Sequence, residues 1–206
     1  MVIPIHKKGD KELAENYRPI SLLCILSKVL KSYIFNRLIN HLSSSLSSWQ
    51  HEFLSGQLTV IQMLCFLHKI GQALDNSLQS EIVYLYLSKA FDTVSHSLLL
   101  HKLTASGVND SLFQWFTDYL TNRSQKVLIK GTTSLSLPVL SGVPQGSILG
   151  PLLFLWSIND LPDELSSSTL AFLFADNTKL VHIIHSESDI TNFQQDIDKV
   201  FNWSTK

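Results

Sequence analysis

An acidic turn near the C-terminus is the clearest chemical feature of this sequence. Asp176 and Asn177 lie between two largely apolar runs, residues 168–173 and 178–184. This pattern predicts a strand, a tight turn and a second strand. A carboxylate on such a turn can bind a divalent cation, because Mg²⁺ prefers hard oxygen ligands. A plain hairpin turn is the alternative, because Asp and Asn both favour turns.

A glycine-rich segment upstream could bind a ligand through its backbone. Residues 141–146 read SGVPQG, and an apolar stretch follows directly. Glycines on either side of Pro-Gln let the backbone approach a ligand closely before a helix begins. An ordinary loop that starts a helix would also explain the glycines.

Composition limits the partners of the chain. It has 206 residues, 45% of them hydrophobic and 16% charged, with a formal net charge of −1. Strong nonspecific binding of nucleic acid needs clustered Lys and Arg, and the clearest such cluster is Lys7, Lys8, Lys11 and Arg18. We expect no signal peptide and no membrane span, and a location inside the cell, in the nucleus or the cytoplasm.

Several other side chains receive ordinary structural interpretations. Cys24 and Cys65 are predicted to be buried free thiols in a reducing compartment. His182 and His185 have no acidic or Cys partner in the sequence pattern, so we interpret them as strand-edge residues. Trp115, Phe116 and Tyr119 are interpreted as helical core.

The pattern of apolar residues predicts a mixed α/β chain. Extended segments are predicted over residues 2–5 and 17–23, a buried strand over 82–87, and a hairpin of 126–130 with 135–140. Helices are predicted over residues 27–42, 59–74, 98–105, 110–120, 147–161 and 186–203. The apolar stripe of the first helix is Val29, Leu30, Ile34, Leu38 and Leu42, with Lys28, Lys31 and Arg37 off the stripe.

Three segments together resemble motifs A, B and C of the reverse transcriptases of non-LTR (LINE-type) retrotransposons. They are residues 84–92 (YLYLSKAFD), residues 141–154 (SGVPQGSILGPLLF) and residues 174–177 (FADN). Residues 3–10 (IPIHKKGD) and 16–23 (NYRPISLL) resemble two fingers strands of the same family. The resemblance implies an α/β (α+β) fold: a polymerase palm with an antiparallel sheet backed by helices, plus part of the fingers. Residues 1–80 would form partial fingers and connecting helices, and residues 81–206 the palm.

The resemblance also shows that two of three metal-binding carboxylates are replaced. Family members have Asp where this chain has Tyr86 and Asn177, so Asp176 remains as the catalytic and metal position. A phenol and an amide are neutral ligands. We therefore expect Asp176 to stand alone as a carboxylate, to bind Mg²⁺ weakly and to support no polymerisation.

Other positions are assigned by the same resemblance. Lys8 and Arg18 would bind the triphosphate and template, Phe91 would be the steric gate against a ribose 2′-hydroxyl, and Gln145 with Gly146 would line the nucleotide pocket. Asp92 lies six positions beyond Tyr86 and is interpreted as an N-cap of the following helix. Glu52 and Leu54 stand where the family usually has Gly and a basic residue, which weakens a template contact.

Three functions stay open on the sequence alone. The first is an RNA-directed DNA polymerase that uses an RNA template and a DNA primer, as the family implies. The second is a noncatalytic module that binds nucleic acid or protein, and the third is a decayed element product with no function. We expect the later palm motifs, the thumb and any endonuclease domain to be missing from the chain.

Overall fold

The computed structural model describes residues 1–53 and 59–205, so Leu54 lies outside the described residues. The helices are α1 Ile25–Leu42, α2 Thr59–Asp75, α3 Ala90–Thr93, α4 His96–Ala105, α5 Asp110–Leu120, α6 Leu149–Ser157 and α7 Glu187–Ser204. The strands are β1 Val2–His6, β2 Tyr17–Ser21, β3 Gln79–Tyr86, β4 Ser124–Gln125, β5 Leu128–Ile129, β6 Thr132–Thr133, β7 Leu137–Pro138, β8 Thr169–Phe174 and β9 Asn177–Ile184. The chain forms two compact units, residues 1–45 with 89–157 and residues 46–88 with 158–206.

The first unit is built around the apolar helix α6. Seven of its nine residues are buried, because helices α1, α3 and α4 pack against it. Its Phe154 stacks on Phe91 with ring centroids 4.5 Å apart. Strands β1 and β2 correspond to the extended segments predicted over residues 2–5 and 17–23, and they pair as an antiparallel hairpin in the same unit.

The second unit contains a three-stranded antiparallel sheet in the order β3-β9-β8. Strand β9 is central, and Phe172 and Val181 pack with Phe66 of α2 in a buried cluster. Helix α7 begins with a capping box between Ser186 and Asp189, which satisfies backbone N–H groups at its first turn. The predicted antiparallel sheet with helices packed against it is therefore confirmed.

Two predictions about strands need correction. Strand β3 is an edge strand whose residues are exposed or half-buried, because it pairs with β9 alone in this sheet. The predicted hairpin at 126–140 forms as two short ladders, β5 with β6 and β4 with β7, and it turns at Lys130 and Gly131. Thr132 and Thr133 therefore belong to a strand and not to the loop.

The buried face of α1 differs from the predicted stripe. Ile34, Leu38 and Leu42 are buried as expected, but Val29 and Leu30 are 65% and 50% exposed. Lys31 is buried in their place, since positions 31, 34, 38 and 42 share one face of the helix.

The prediction of buried thiols is also wrong, because Cys24 and Cys65 are both exposed. Cys24 is the N-cap of α1, and its sulfur accepts a hydrogen bond from the Ser27 backbone N–H at 3.4 Å. Such a cap position lies at a helix end and not in the core, although its neighbours in sequence are apolar.

Candidate functional site

The acidic turn joins β8 to β9 as the sequence predicts. Ala175 occupies the left-handed backbone region with φ +46°, which closes the turn between the two strands. The Asp176 carbonyl accepts a hydrogen bond from the Leu87 N–H at 3.0 Å. Tyr86 pairs with Asn177 across β3 and β9, so Tyr86, Asp176 and Asn177 lie together at one end of the sheet.

Asp176 does not stand alone, contrary to the expectation from sequence. Burial raises the pKa of Glu52, and the charge of Asp176 raises it further, so the two carboxylates lie within electrostatic reach. Asn177 Nδ2 also donates to Asp176 Oδ1 at 3.1 Å. Glu52 follows Gln50 and His51, both buried, and its N–H donates to Gln50 Oε1 at 3.2 Å.

The side chains at this turn do not fit a pair of divalent ions. This end of the sheet has the Asp176 carboxylate, the Tyr86 phenol and the Asn177 amide. The amide already donates a hydrogen bond to one oxygen of the carboxylate. Two-metal sites need several anionic oxygens to hold ions about 3.5–4 Å apart. Within residues 1–53 and 59–205, no three His, Cys, Asp or Glu side chains form a group that could hold a metal ion.

The glycine-rich loop at 141–146 is clamped by the segment that contains Phe91. Gly142 N–H donates to the Val94 carbonyl at 2.8 Å, and Val143 N–H donates to the Phe91 carbonyl at 2.7 Å. Gly142 has φ +82°, and a Cβ on it would lie 2.7 Å from backbone atoms of Phe91 and Asp92. Only glycine fits this position, since both the backbone conformation and the space exclude a side chain.

The Gly142 carbonyl is fixed by two further donors. His96 Nε2 donates to it at 2.8 Å, and an Arg123 guanidinium N–H donates to it at 3.0 Å. His96 is buried, and Arg123 also donates to the Leu120 carbonyl. Sequence reasoning missed both residues, because nothing in their local sequence indicates a partner 46 or 19 positions away.

Asp92 joins the two segments through its side chain. Its Oδ1 accepts from Gln145 Nε2 at 2.9 Å, and its carbonyl accepts from Ser141 Oγ at 2.8 Å. The prediction of an N-cap is wrong, because Ser95 caps α4 and Asp92 lies inside α3.

The remaining predicted residues of this unit lie around the same loop or on the β1–β2 hairpin. The Gln145 carbonyl accepts from the Ser21 N–H of β2 at 2.9 Å. Gly146 has φ +81°, and a Cβ there would lie 3.1 Å from the Ile20 side chain. Lys8 and Arg18 are exposed, and no described side chain forms a hydrogen bond or an ion pair with them.

The structure thus divides the predicted site residues between the two units. Tyr86, Asp176 and Asn177 belong to the second unit, whereas the first unit contains all the predicted nucleotide-binding residues. Those residues are Lys8, Arg18, Phe91, Gln145 and Gly146. Trp115 and Tyr119 stack half-buried on α5 with ring centroids 5.1 Å apart, and Phe116 is fully buried, so the core interpretation holds best for Phe116.

A buried polar network lies behind the sheet of the second unit. Asp196 is 1% exposed and accepts hydrogen bonds from Ser166, Thr169 and Lys199. Burial alone would raise the pKa of Asp196, but these hydrogen bonds outweigh it and lower that pKa.

His182 belongs to the same network, contrary to its strand-edge interpretation. The Thr169 hydroxyl donates to Asp196, so it accepts from His182 Nδ1 at 2.8 Å. His182 is 1% exposed on the central strand, and its Nε2 lies 4.0 Å from Asp189 Oδ1. His185 Nδ1 lies 4.0 Å from the other oxygen of Asp189, so both histidines have an acidic neighbour.

Comparison with known proteins identifies the family. The sequence profile of the reverse transcriptase (RNA-dependent DNA polymerase) family matches residues 5–206. The chain therefore belongs to this family. Its relatives, described next, are RNA-directed DNA polymerases of non-LTR retrotransposons, so the chain is a reverse transcriptase domain of that kind.

Two fruit-fly proteins and one beetle protein illustrate the relationship. The chain is 35% identical over 164 residues to a probable RNA-directed DNA polymerase from transposon BS of Drosophila melanogaster, covering 78% of this chain and 18% of that protein. It is 31% identical to the corresponding X-element protein of the same fly, covering 98% of this chain and 23% of the relative. It is 28% identical to a retrovirus-related Pol polyprotein from the type-1 retrotransposable element R2 of Popillia japonica, and the match covers 80% of this chain and 22% of that protein. The chain thus spans about a fifth of the length of these relatives.

A solved structure supports the fold. The apo telomerase of Candida tropicalis, truncated from its C-terminal domain, matches with a TM-score of 0.59 at 10% identity, covering 89% of this chain and 44% of that one. At this identity the match supports the polymerase fold and no finer property. In the part of the chain that the structure describes, no helix is long and apolar enough to cross a membrane.

Proposed function

We propose that this chain is the fingers-and-palm segment of a non-LTR reverse transcriptase that binds nucleic acid but does not catalyse nucleotidyl transfer. Residues 1–80 would supply partial fingers and residues 81–206 the palm. The observation that carries the proposal is the pairing of Tyr86 with Asn177 beside Asp176. That arrangement leaves one carboxylate, Asp176, at positions 86, 176 and 177, where the family resemblance requires three.

Glu52 does not restore the missing charge in this proposal. It is half-buried, and its raised pKa reflects a carboxylate that loses solvation beside Asp176. We therefore propose that Asp176 binds Mg²⁺ weakly, although reverse transcriptases as a family use divalent metal ions.

The intact loop at 141–146 favours retained binding over complete loss of function. This loop is held by hydrogen bonds with five residues of the same unit: Phe91, Asp92, Val94, His96 and Arg123. We propose that Gln145 and Gly146 face a nucleotide, and that Lys8 and Arg18 bind phosphates of an RNA template paired with a DNA primer.

Primer extension tests the catalytic part of the proposal. The wild-type chain, Asp176→Ala and an active reverse transcriptase as assay control are incubated with an RNA template, a DNA primer and either Mg²⁺ or Mn²⁺. We expect no extension by the wild type above the level of Asp176→Ala. Template-dependent extension that Asp176→Ala abolishes would refute the proposal.

Fluorescence anisotropy with a labelled RNA–DNA hybrid tests the binding part. We expect Arg18→Ala to weaken binding and to reduce the slope of log affinity against log salt by about one, because one phosphate contact is lost. Lys69→Ala is the matched control, since Lys69 is an exposed cation on α2 of the other unit. Equal losses in the two variants would show that binding depends only on overall charge.

A further inference from the structure

We propose that Asp92 is a positioning residue that fixes the orientation of the Gln145 side-chain amide. The pocket would then present the Gln145 Oε1 acceptor, and it would select a ligand group that donates a hydrogen bond. This inference rests on the proposed nucleotide-binding role of Gln145. It assigns a function to the Asp92 carboxylate, which is not part of the acidic turn.

The chemistry of the contact allows one orientation of the amide. A carboxylate only accepts hydrogen bonds, whereas an amide has a donor nitrogen and an acceptor oxygen. Gln145 Nε2 lies 2.9 Å from Asp92 Oδ1, within the normal range for a hydrogen bond. A flipped amide would place Oε1 against Oδ1, where two acceptors repel each other.

Asp92 is itself held on both sides. Its N–H donates to the Lys89 carbonyl at 2.7 Å, and its carbonyl accepts from Ser141 Oγ at 2.8 Å. The carboxylate therefore projects from a fixed piece of backbone. A fixed acceptor restricts the Gln145 side chain more than a mobile surface carboxylate would. The Gln145 side chain therefore loses less rotamer freedom when a ligand binds.

The backbone of Gln145 is anchored as well. Its carbonyl accepts from the Ser21 N–H at 2.9 Å, so the main chain and the Nε2 group both have partners. The residue is half-buried, and its Oε1 has no hydrogen-bond partner among the described residues. Oε1 is therefore the atom that stays available to a ligand, and a sugar hydroxyl or a base N–H supplies the matching donor.

A purely structural latch makes a different prediction from a positioning residue. Asp92→Asn keeps an acceptor at the same place, so a latch would survive the change. It also removes the charge and adds a donor, so the Gln145 amide could then adopt either orientation. Asp118→Asn is the matched control, because it makes the same chemical change at an exposed carboxylate of the same unit.

The orientation is measured by NMR on the full chain through the side-chain NH₂ signals of Gln145, assigned by their loss in Gln145→Met. In the wild type and in Asp118→Asn we expect one NH₂ proton to be shifted downfield and to exchange slowly with solvent. Asp92→Ala should abolish both properties. A Gln145 signal that is the same in Asp92→Ala as in the wild type would overturn the inference.

Ligand selection is measured by titrating dTTP and 2′,3′-dideoxy-TTP into the same proteins. We expect Asp92→Ala to bind dTTP about tenfold more weakly than the wild type, because the freed Gln145 side chain must be ordered again when the ligand binds. Asp92→Asn should lose about twofold, because about half of its Gln145 amides keep the competent orientation, and Asp118→Asn should bind like the wild type. A tenfold loss that disappears with the dideoxy compound identifies the sugar hydroxyl as the donor, and a loss that persists identifies the base. Equal dTTP affinity in Asp92→Ala and the wild type would overturn the inference.

The two measurements separate the inference from the proposed function. If the wild type does not bind dTTP, the nucleotide pocket is refuted, and the NH₂ signals alone then decide whether Asp92 positions Gln145.

Discussion

Lys31 gives the sharpest stability prediction for this fold. Its side chain is 8% exposed on the buried face of α1, and its ammonium lies 4.9 Å from the centre of the Tyr119 ring. Within residues 1–53 and 59–205, no carboxylate lies within 4.0 Å of this ammonium. Burial lowers the pKa of Lys31, and the positive charge of Arg123 lowers it further. The electrostatic interaction with Cys24 raises this pKa and so opposes both effects.

The size of the effect follows from the terms that act on the charge. The Lys31 ammonium is partly desolvated, so its burial costs a fraction of the several kcal/mol of a fully buried unpaired ion, about 1–2 kcal/mol. The Tyr119 ring returns about 0.5–2 kcal/mol as a cation–π contact. We therefore expect Lys31→Met, which keeps the length and most of the volume of the side chain, to stabilise the fold by about 1 kcal/mol.

Thermal unfolding followed by circular dichroism at neutral pH checks this value. For a chain of this size the change corresponds to a rise in Tm of about 2–4 °C. Lys28→Met is the control, because Lys28 is exposed on the same helix, and a surface change of this kind stays within about 0.5 kcal/mol.

The effect depends on pH in a defined direction. The pKa of Lys31 in the folded state lies below its usual 10.5, so the folded wild type binds fewer protons than the unfolded chain between these two values. Wild-type stability therefore rises with pH across that window, and the advantage of Lys31→Met shrinks there. A Lys31→Met protein that is equal to or less stable than the wild type at neutral pH would refute the reasoning.

Four further substitutions test the rest of the fold. Asp196→Ala should destabilise the fold by about 3–5 kcal/mol, because it leaves buried donors unpaired; urea unfolding measures it, and a loss below about 1 kcal/mol would contradict the network. Gly142→Ala should destabilise by at least about 2 kcal/mol through its positive φ and backbone overlap, whereas Gly71→Ala, with open space inside α2, should stabilise by about 0.5–1 kcal/mol. A Gly142→Ala protein that melts at the wild-type temperature or above would show that the clamp is not rigid. Glu52→Gln should stabilise by about 0.5–1 kcal/mol at neutral pH and not below the usual Glu pKa of 4.5, since only the charged form is disfavoured; an advantage that persists at pH 3 would argue against charge as the cause.

The sequence by itself determined the family, the order of the elements and the acidic turn. Residues 141–154 and 174–177 are contiguous, so their resemblance to the reverse transcriptase motifs needs no knowledge of the fold. The apolar periods of α2, α4, α5 and α7 likewise predict their bounds to within about two residues, because helix periodicity is a local property of the chain.

Only the tertiary structure decided which side chains meet. Asp92 has the sequence properties of a helix cap, yet it accepts from Gln145, 53 positions away. Glu52 comes within electrostatic reach of Asp176 across more than a hundred residues, and His182 lies in the core because β9 is the central strand. Periodicity assigns a residue to a face of its own element, but the packing of other elements decides whether that face is covered. Lys31 is buried for this reason, while the more apolar Val29 and Leu30 on the same helix remain exposed.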